Sequence, residues 1–235
     1  MSSANNWKHR MRVLNRIVPK KFYRLFGNRN MRWQPHSFYS IKPGYHHAIS
    51  AEDFDDTINK DEWQRSVYEL ALAKASAMDQ PSILDIGCGS AFKLVNMFGR
   101  YKITGVEVEP TFSWLKQQYP QHEWALFDET DPASLEGDLV ICSDVIEHIP
   151  NPDDLMEFLE DIPFRLLVIS TPERDLEAGK KDFGPPANTA HYREWNGAEF
   201  RNYLRRWFNV DEHHVLHDKS ITQVAVCSPK ISPAG

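Results

Sequence analysis

The chain has 235 residues, 41% hydrophobic and 26% charged, a balance ordinary for a globular protein with one large domain, or one domain and an extension. Three cysteines, Cys88, Cys142 and Cys227, lie far apart with no CxxC pair, which argues against a disulfide framework or a zinc site and for a reducing compartment. The net charge of −6 hides an asymmetry: residues 1–51 carry ten Lys/Arg and no acid, leaving 17 basic against 33 acidic residues in the remainder. No apolar run approaches a membrane span, and the first residues lack a signal peptide's apolar core, so a cytoplasmic protein is expected.

Residues 7–26 read as two short helical pieces, with Met11, Leu14, Ile17 and Val18 forming an apolar stripe that Pro19 breaks. Residues 28–50 read as an ordered loop. A helix is expected from about Asp61 to Met78, carried by Trp63, Val67, Leu70, Ala71 and Ala75. We therefore divide the chain into a basic, partly helical extension (1–60) and a second domain (61–235). From residue 82 apolar strands alternate with helices. Strands fall near 82–86, 102–106, 123–127, 138–142 and 165–170, and helices near 91–98, 110–118 and 152–160. That alternation predicts an α/β, doubly wound, mostly parallel sheet with a ligand at the carboxyl ends of its strands. After a loop (172–193), Trp195–Trp207 reads as a helix, and strands near 208–217 and 221–227 read as a closing hairpin.

The densest signal is Ile83-Leu84-Asp85-Ile86-Gly87-Cys88-Gly89-Ser90-Ala91-Phe92. An apolar strand meets an acid, breaks at glycines that permit unusual torsions and close approach, and passes into helical periodicity. Twenty residues after Gly87, the next strand ends in Glu107, placed to accept hydrogen bonds from ribose hydroxyls. Turn and spaced acid together indicate an adenosine-containing cofactor. The two glycines alone would equally suit a turn in another doubly wound fold, such as a nicotinamide-dependent dehydrogenase.

Over roughly residues 60–228 the chain resembles the class I S-adenosylmethionine-dependent methyltransferases. Asp85-Ile86-Gly87-Cys88-Gly89-Ser90-Ala91 is similar to that family's first motif, and Gly105-Val106-Glu107-Val108 to its second strand with the ribose-binding acid. Leu126-Phe127-Asp128 resembles the strand end that meets the adenine, and Asp138 through Ile149 the fourth strand and its turn. Leu166 through Pro172 resembles the fifth strand. The resemblance implies seven strands with a reversed terminal hairpin and S-adenosyl-L-methionine as cofactor. It also implies a binding set of Asp85, Gly87, Cys88, Gly89, Glu107, Val108, Asp128 and Ser143. Ala91 stands where the family usually has a third glycine, which here reads as a mild change in how closely helix and strand approach.

A sulfonium methyl is already activated, so the protein's work is alignment and, for a hydroxyl acceptor, removal of a proton. His148, just after the fourth strand, is the first candidate base. In family members that methylate sugar hydroxyls, a histidine in this segment resembles the proposed base; in many relatives a similar Glu-His pair stabilises the turn. Glu147 is expected to orient that ring or bond the substrate, and Asp144 to contact the methionine portion or the substrate hydroxyl. Gly184 through Trp195 resembles a segment of bacterial methyltransferases of surface-polysaccharide assembly. It offers His191 as a base or substrate donor and Tyr192 and Trp195 as sugar-stacking rings, with Trp195 equally suited to packing the start of its helix. No dense ligand cluster is evident along the sequence, so no metal is assigned; His46-His47 and His213-His214 read as surface pairs.

The expected acceptor is a sugar hydroxyl of a surface or lipid-linked glycan. The alternatives are a small metabolite or quinone-like phenol, and a catalytically silent cofactor-binding subunit. The basic residues of 7–32 suit peripheral contact with an anionic membrane, or docking onto the acidic domain or another subunit. Nucleic acid ranks third, since charge for phosphate contact comes without a recognition motif.

Overall fold

Each apolar run from residue 82 onward becomes a strand, and the sheet they build explains why those runs are nearly continuous. The computed structural model describes residues 57–230 apart from 62 and 183. Its strands are β1 (Ile83–Ile86), β2 (Ile103–Glu107), β3 (Glu123–Leu126), β4 (Leu139–Ser143), β5 (Leu166–Pro172), β6 (Phe208–His217) and β7 (Ile221–Pro229). They form one seven-stranded sheet in the order β3-β2-β1-β4-β5-β7-β6. The first five are mutually parallel; β7 lies antiparallel to β5, and β6 to β7. The doubly wound sheet with its reversed hairpin is the fold the chain adopts.

The helices are α1 (Arg65–Ser76), α2 (Phe92–Phe98), α3 (Thr111–Gln118), α4 (Pro152–Asp161) and α5 (Gly197–Leu204). Successive residues of a strand face opposite sides, and here both sides are covered. Ile83, Leu139 and Ile141 pack with Val67, Ala71, Leu94, Phe98 and Leu115 from α1, α2 and α3. Leu84, Val140 and Cys142 pack with Leu155, Leu159, Phe200 and Leu204 from α4 and α5. A strand buried on both faces cannot alternate with polar residues, hence the uninterrupted runs.

Several boundaries differ from the sequence expectation for local reasons. α1 starts at Arg65 instead of Asp61, because Gln64 takes a left-handed backbone (φ 60°) while its carbonyl accepts from Val67 and Tyr68. α5 is shorter than 195–207 at both ends. Asn196 and Glu199 exchange side chain–backbone bonds in a capping box that sets its start. Trp195 before that cap bridges to Glu173, and its fully buried ring stacks on Tyr203 at 6.2 Å. Trp195 is therefore core, unavailable as a sugar platform. His213 is also no surface residue: it is half-buried, bonded to Gln223 and packed near Phe200.

All described residues belong to the second of the chain's two compact units, Tyr39–Gly235. The basic helices expected over 7–26, the loop over 28–50 and His46-His47 lie outside the described residues. Among the described residues, no helix is long and apolar enough to cross a membrane.

Candidate active site

The strand order reverses between β1 and β4, where the connections leave on opposite faces and a crevice opens beyond the carboxyl ends. A cavity of about 500 Å³ fills it, walled by the loops after β1, β2 and β4 and by parts of the segments at 59–68 and 188–191. That volume lies within the about 300–1,000 Å³ usual for small-molecule sites. Asn59 and Lys60, assigned to the extension by sequence, belong to this wall.

The loop after β1 depends on its glycines. Gly87 has φ +71°, and a side chain there would put Cβ 2.5 Å from Val145 Cγ2. Its N–H donates to the Val106 carbonyl at 2.9 Å, locking loop to β2. Ala91 is also left-handed, with φ 51°. The missing third glycine therefore has a conformational cost of about 1–2 kcal/mol, a larger matter than the helix–strand spacing expected from sequence.

Glu107 closes the loop from the other side. Its Oε2 accepts from the Gly89 N–H at 2.7 Å and its Oε1 from the Val108 N–H at 2.8 Å. Cys88 is buried, and burial, reinforced by negative Glu107 and Asp85, holds its thiol well above the ordinary range. The thiol is therefore a poor nucleophile, and Cys88 lines the cavity. Phe127 lines the cavity past β3, whereas Asp128 is exposed and stands outside the wall.

Asp85 sits behind the wall, fully buried, with Oδ2 accepting from the Tyr68 hydroxyl at 2.8 Å. Burial raises its carboxyl from 3.8 to about 7, while the Tyr68 bond works against the shift. The folded chain thus keeps a proton between about pH 4 and 7 that the unfolded chain releases, so stability falls as pH rises through that interval. Asp85→Asn removes this titration. In urea denaturation without cofactor, we expect its stability relative to the native chain to be higher by about 4 kcal/mol at pH 8 and only about 2 kcal/mol at pH 5. A gap independent of pH would contradict a neutral Asp85.

A further part of the wall is built at the tip of β4. Ser143 and Ser170 hydroxyls lie 3.1 Å apart; the Ser170 hydroxyl donates to Asp144 Oδ1 at 2.6 Å and accepts from the Asp144 N–H. Asp144 has φ 52°. Burial raises its carboxyl, opposed by bonds from Ser170 and Gln64. Glu147 is fully buried in the 3-10 turn Ile146–His148. Burial first, and negative Asp144 second, push its carboxyl well above the usual range. Thr171 donates to Glu147 Oε2 at 2.9 Å, and Glu147 Oε1 has no hydrogen-bond partner among the described residues.

His148 Nδ1 lies 2.9 Å from the Ala190 carbonyl, which only accepts, so that nitrogen carries a proton, and in the neutral ring the lone pair is on Nε2. His191 meets it edge to face, with ring centroids 4.8 Å apart. Asn188 Oδ1 accepts from the Ala190 N–H, which turns its amide nitrogen toward His191 Nε2 at 2.9 Å. His191 Nδ1 donates to Glu194 Oε1 at 2.6 Å. Both His191 nitrogens are therefore engaged. The loop bearing His191 is held by the Tyr192 N–H on the Glu147 carbonyl (2.8 Å) and by buried Arg174 on the Glu194 carbonyl (3.0 Å). The fold also gathers Glu147, His148 and His191 into the ligand cluster that sequence spacing did not reveal, one ligand atom of each within 4.8 Å of the others.

Sequence reasoning missed Tyr68, Gln64, Ser170, Thr171, Asn188 and Glu194. Tyr68 alone left a signal: it lies on α1's apolar stripe, where a tyrosine hydroxyl must find a buried acceptor.

These residues suit S-adenosylmethionine: a glycine cradle that a single Cβ would fill, a carboxylate at the second strand, and a switch-point cavity of sufficient size. A family model described as methyltransferase domain matches residues 57–218. Similar solved structures include the small RNA methyltransferase HEN1, 21% identical with TM-score 0.54, covering 72% of this chain and 25% of that one. The chain thus spans about a quarter of that protein. Magnesium protoporphyrin IX methyltransferase (ChlM) from Synechocystis, with bound SAH, is 16% identical with TM-score 0.55, covering 90% of this chain and 98% of that one. The 1,6-didemethyltoxoflavin-N1-methyltransferase of Burkholderia thailandensis, bound to 1,6-didemethyltoxoflavin and S-adenosylhomocysteine, is 21% identical with TM-score 0.51, covering 73% and 80%. At these identities the likeness establishes the fold. No curated protein matches the sequence. The motif geometry and a family model spanning most of the chain agree: the chain belongs to the methyltransferase-domain family and is a class I S-adenosylmethionine-dependent methyltransferase.

Proposed function

We propose that the enzyme methylates a hydroxyl of a sugar, with Glu107 and the loop at 87–91 holding the donor and the β4 tip receiving the acceptor. The observation that carries this reading is His148: a wall residue whose Nδ1–H is set on the Ala190 carbonyl, which makes Nε2 the basic nitrogen of its neutral ring. A neutral amine brings its own lone pair to the methyl and needs no such group, whereas a hydroxyl at neutral pH must lose a proton as it attacks. Bound S-adenosylmethionine supplies an electrophilic methyl on sulfur. The chain's residues orient the acceptor, exclude water and accept the proton at His148 Nε2.

A sugar is favoured by the mixed character of the wall. Trp63 is 45% exposed and lines the cavity, with Lys219 over its ring. An aromatic plate beside Asn188 and His148 suits a ring with one apolar face and several hydroxyls. Proteins of similar fold are named for small RNA, a magnesium porphyrin and 1,6-didemethyltoxoflavin, so fold does not choose the acceptor. A small metabolite or quinone-like phenol is the second reading; the last two of those names are of small molecules, though neither names a phenol. We further place the enzyme in the cytoplasm, its basic segment 7–32 resting on an anionic surface that carries a lipid-linked glycan.

Methyl-labelled donor, offered with oligosaccharides, sugar nucleotides, a short RNA, phenols and amines, tests this. Label in a sugar hydroxyl is expected. Label only in amines sinks the hydroxyl reading, label only in phenols selects the second reading, and donor binding without transfer to any acceptor indicates a silent subunit.

A further inference from the structure

We infer that Glu147, His148 and His191 form a binding site for one first-row divalent transition cation at the acceptor end of the cavity. Its catalytic role rests on the hydroxyl reading above; its existence does not.

Three observations converge. One ligand atom of each residue lies within 4.8 Å of the others. Ligands of a single such ion, each about 2.0–2.2 Å from it, stand about 3–4 Å apart, so a contraction of about an ångström completes the set. Second, both rings are arranged as metal-bound histidines are, with the remote nitrogen donating to a fixed acceptor. His148 Nδ1 is bonded to the Ala190 carbonyl, and His191 Nδ1 to the buried Glu194 carboxylate. In each ring Nε2 is thus the nitrogen that would meet the ion. Third, the fully buried Glu147 places Thr171 on one oxygen and leaves Oε1 without a hydrogen-bond partner among the described residues. An unsatisfied buried acceptor costs about 1–3 kcal/mol, a penalty a cation removes.

Asn188 occupies the position the ion would claim. Its amide donates to His191 Nε2 at 2.9 Å from an exposed residue whose Oδ1 is tied to the Ala190 N–H. Ion binding exchanges that single bond for coordination. Two imidazoles and one carboxylate suit Mn²⁺, Fe²⁺, Co²⁺ or Zn²⁺ better than Mg²⁺, which favours all-oxygen shells. Three protein ligands leave positions open for an acceptor hydroxyl, whose proton affinity the ion lowers. The hydroxyl proton then leaves to solvent, the oxygen pair forms the new O–C bond, and the S–C pair returns to sulfur as the neutral thioether. With the ion bound, His148 Nε2 is its ligand, and the proton that this nitrogen takes in the metal-free enzyme goes to solvent instead.

The test uses the full chain stripped of metals, titrated with Mn²⁺ by calorimetry and with Co²⁺ by visible absorption, without donor or acceptor. We expect one equivalent to bind, with Kd raised about tenfold or more in Glu147→Gln and His191→Gln. Asn188→Ala, which leaves the three ligands intact, should bind a few-fold tighter. No binding to the native chain, or equal binding by all four proteins, overturns the inference. Label transfer in excess chelator at the undiminished rate overturns the ion's catalytic role and leaves His148 as base. One equivalent bound at these residues, with no hydroxyl methylated, keeps the site and removes the hydroxyl reading.

Discussion

Alanine in place of His148 is expected to lower kcat by about a hundred- to ten-thousand-fold, the range for loss of a group that manages an acceptor proton. The Kd for S-adenosylmethionine should move less than about threefold, because the residues proposed to grip the donor stand on the β1 and β2 loops and the substitution touches neither. The split matters, since His148 also holds the Ala190 carbonyl and with it the segment bearing His191. His148→Asn separates the two jobs: its amide can donate where Nδ1 did, but it offers no basic nitrogen. Recovery of most activity by asparagine would show that the ring only anchors the segment. Single-turnover rates beside calorimetric donor affinities read the outcome.

Glu107→Gln should weaken S-adenosylmethionine binding by about ten- to a hundred-fold. The carboxylate now accepts two backbone N–H groups, from Gly89 and Val108, through separate oxygens. Glutamine has nearly the same shape but turns one acceptor into an NH₂, which must face an N–H. A donor set against a donor in a part-buried site costs about 1–3 kcal/mol, and each 1.4 kcal/mol is a factor of ten. The loop at 87–91 then loses the brace that shapes it before any ligand arrives, and the bond expected to a ribose hydroxyl is lost as well. At saturating donor, kcat should fall less than about tenfold. Calorimetry with S-adenosylhomocysteine checks the claim; an unchanged Kd would remove Glu107 from the donor site.

The parts legible in the sequence are those whose physics is local. The run through Ile83–Ile86 reads as a buried parallel strand because both faces demand apolar residues, and Gly87 reads as a turn because little else tolerates its backbone. Glu107 was found by its spacing from that turn. What sequence reasoning could not supply depends on residues brought together from afar. Tyr68 reaches Asp85 from another layer, and Thr171 reaches Glu147 across neighbouring strands. His191 joins His148 only because Arg174 and the Glu147 carbonyl fasten its loop. Trp195 failed as a sugar platform for a similar reason: an aromatic beside a polar loop looks available until the fold places it against Tyr203. Ala91 shows the converse, a local residue whose backbone twist no spacing rule would announce.

Gln64 and Asp144, both with left-handed torsions, line one cavity, and Ala91, a third such residue, follows the glycine loop that forms part of its wall. Non-glycine residues in that region hold a conformation their own chemistry disfavours. A laboratory selection for heat resistance alone would accordingly be drawn to these three positions, where glycine relaxes the chain at once. Asp144→Gly would arrive with blunted turnover, whereas Ala91→Gly only removes a strained methyl behind the loop, so screening for endurance and for catalysis together should leave Asp144 untouched and accept the glycine at 91.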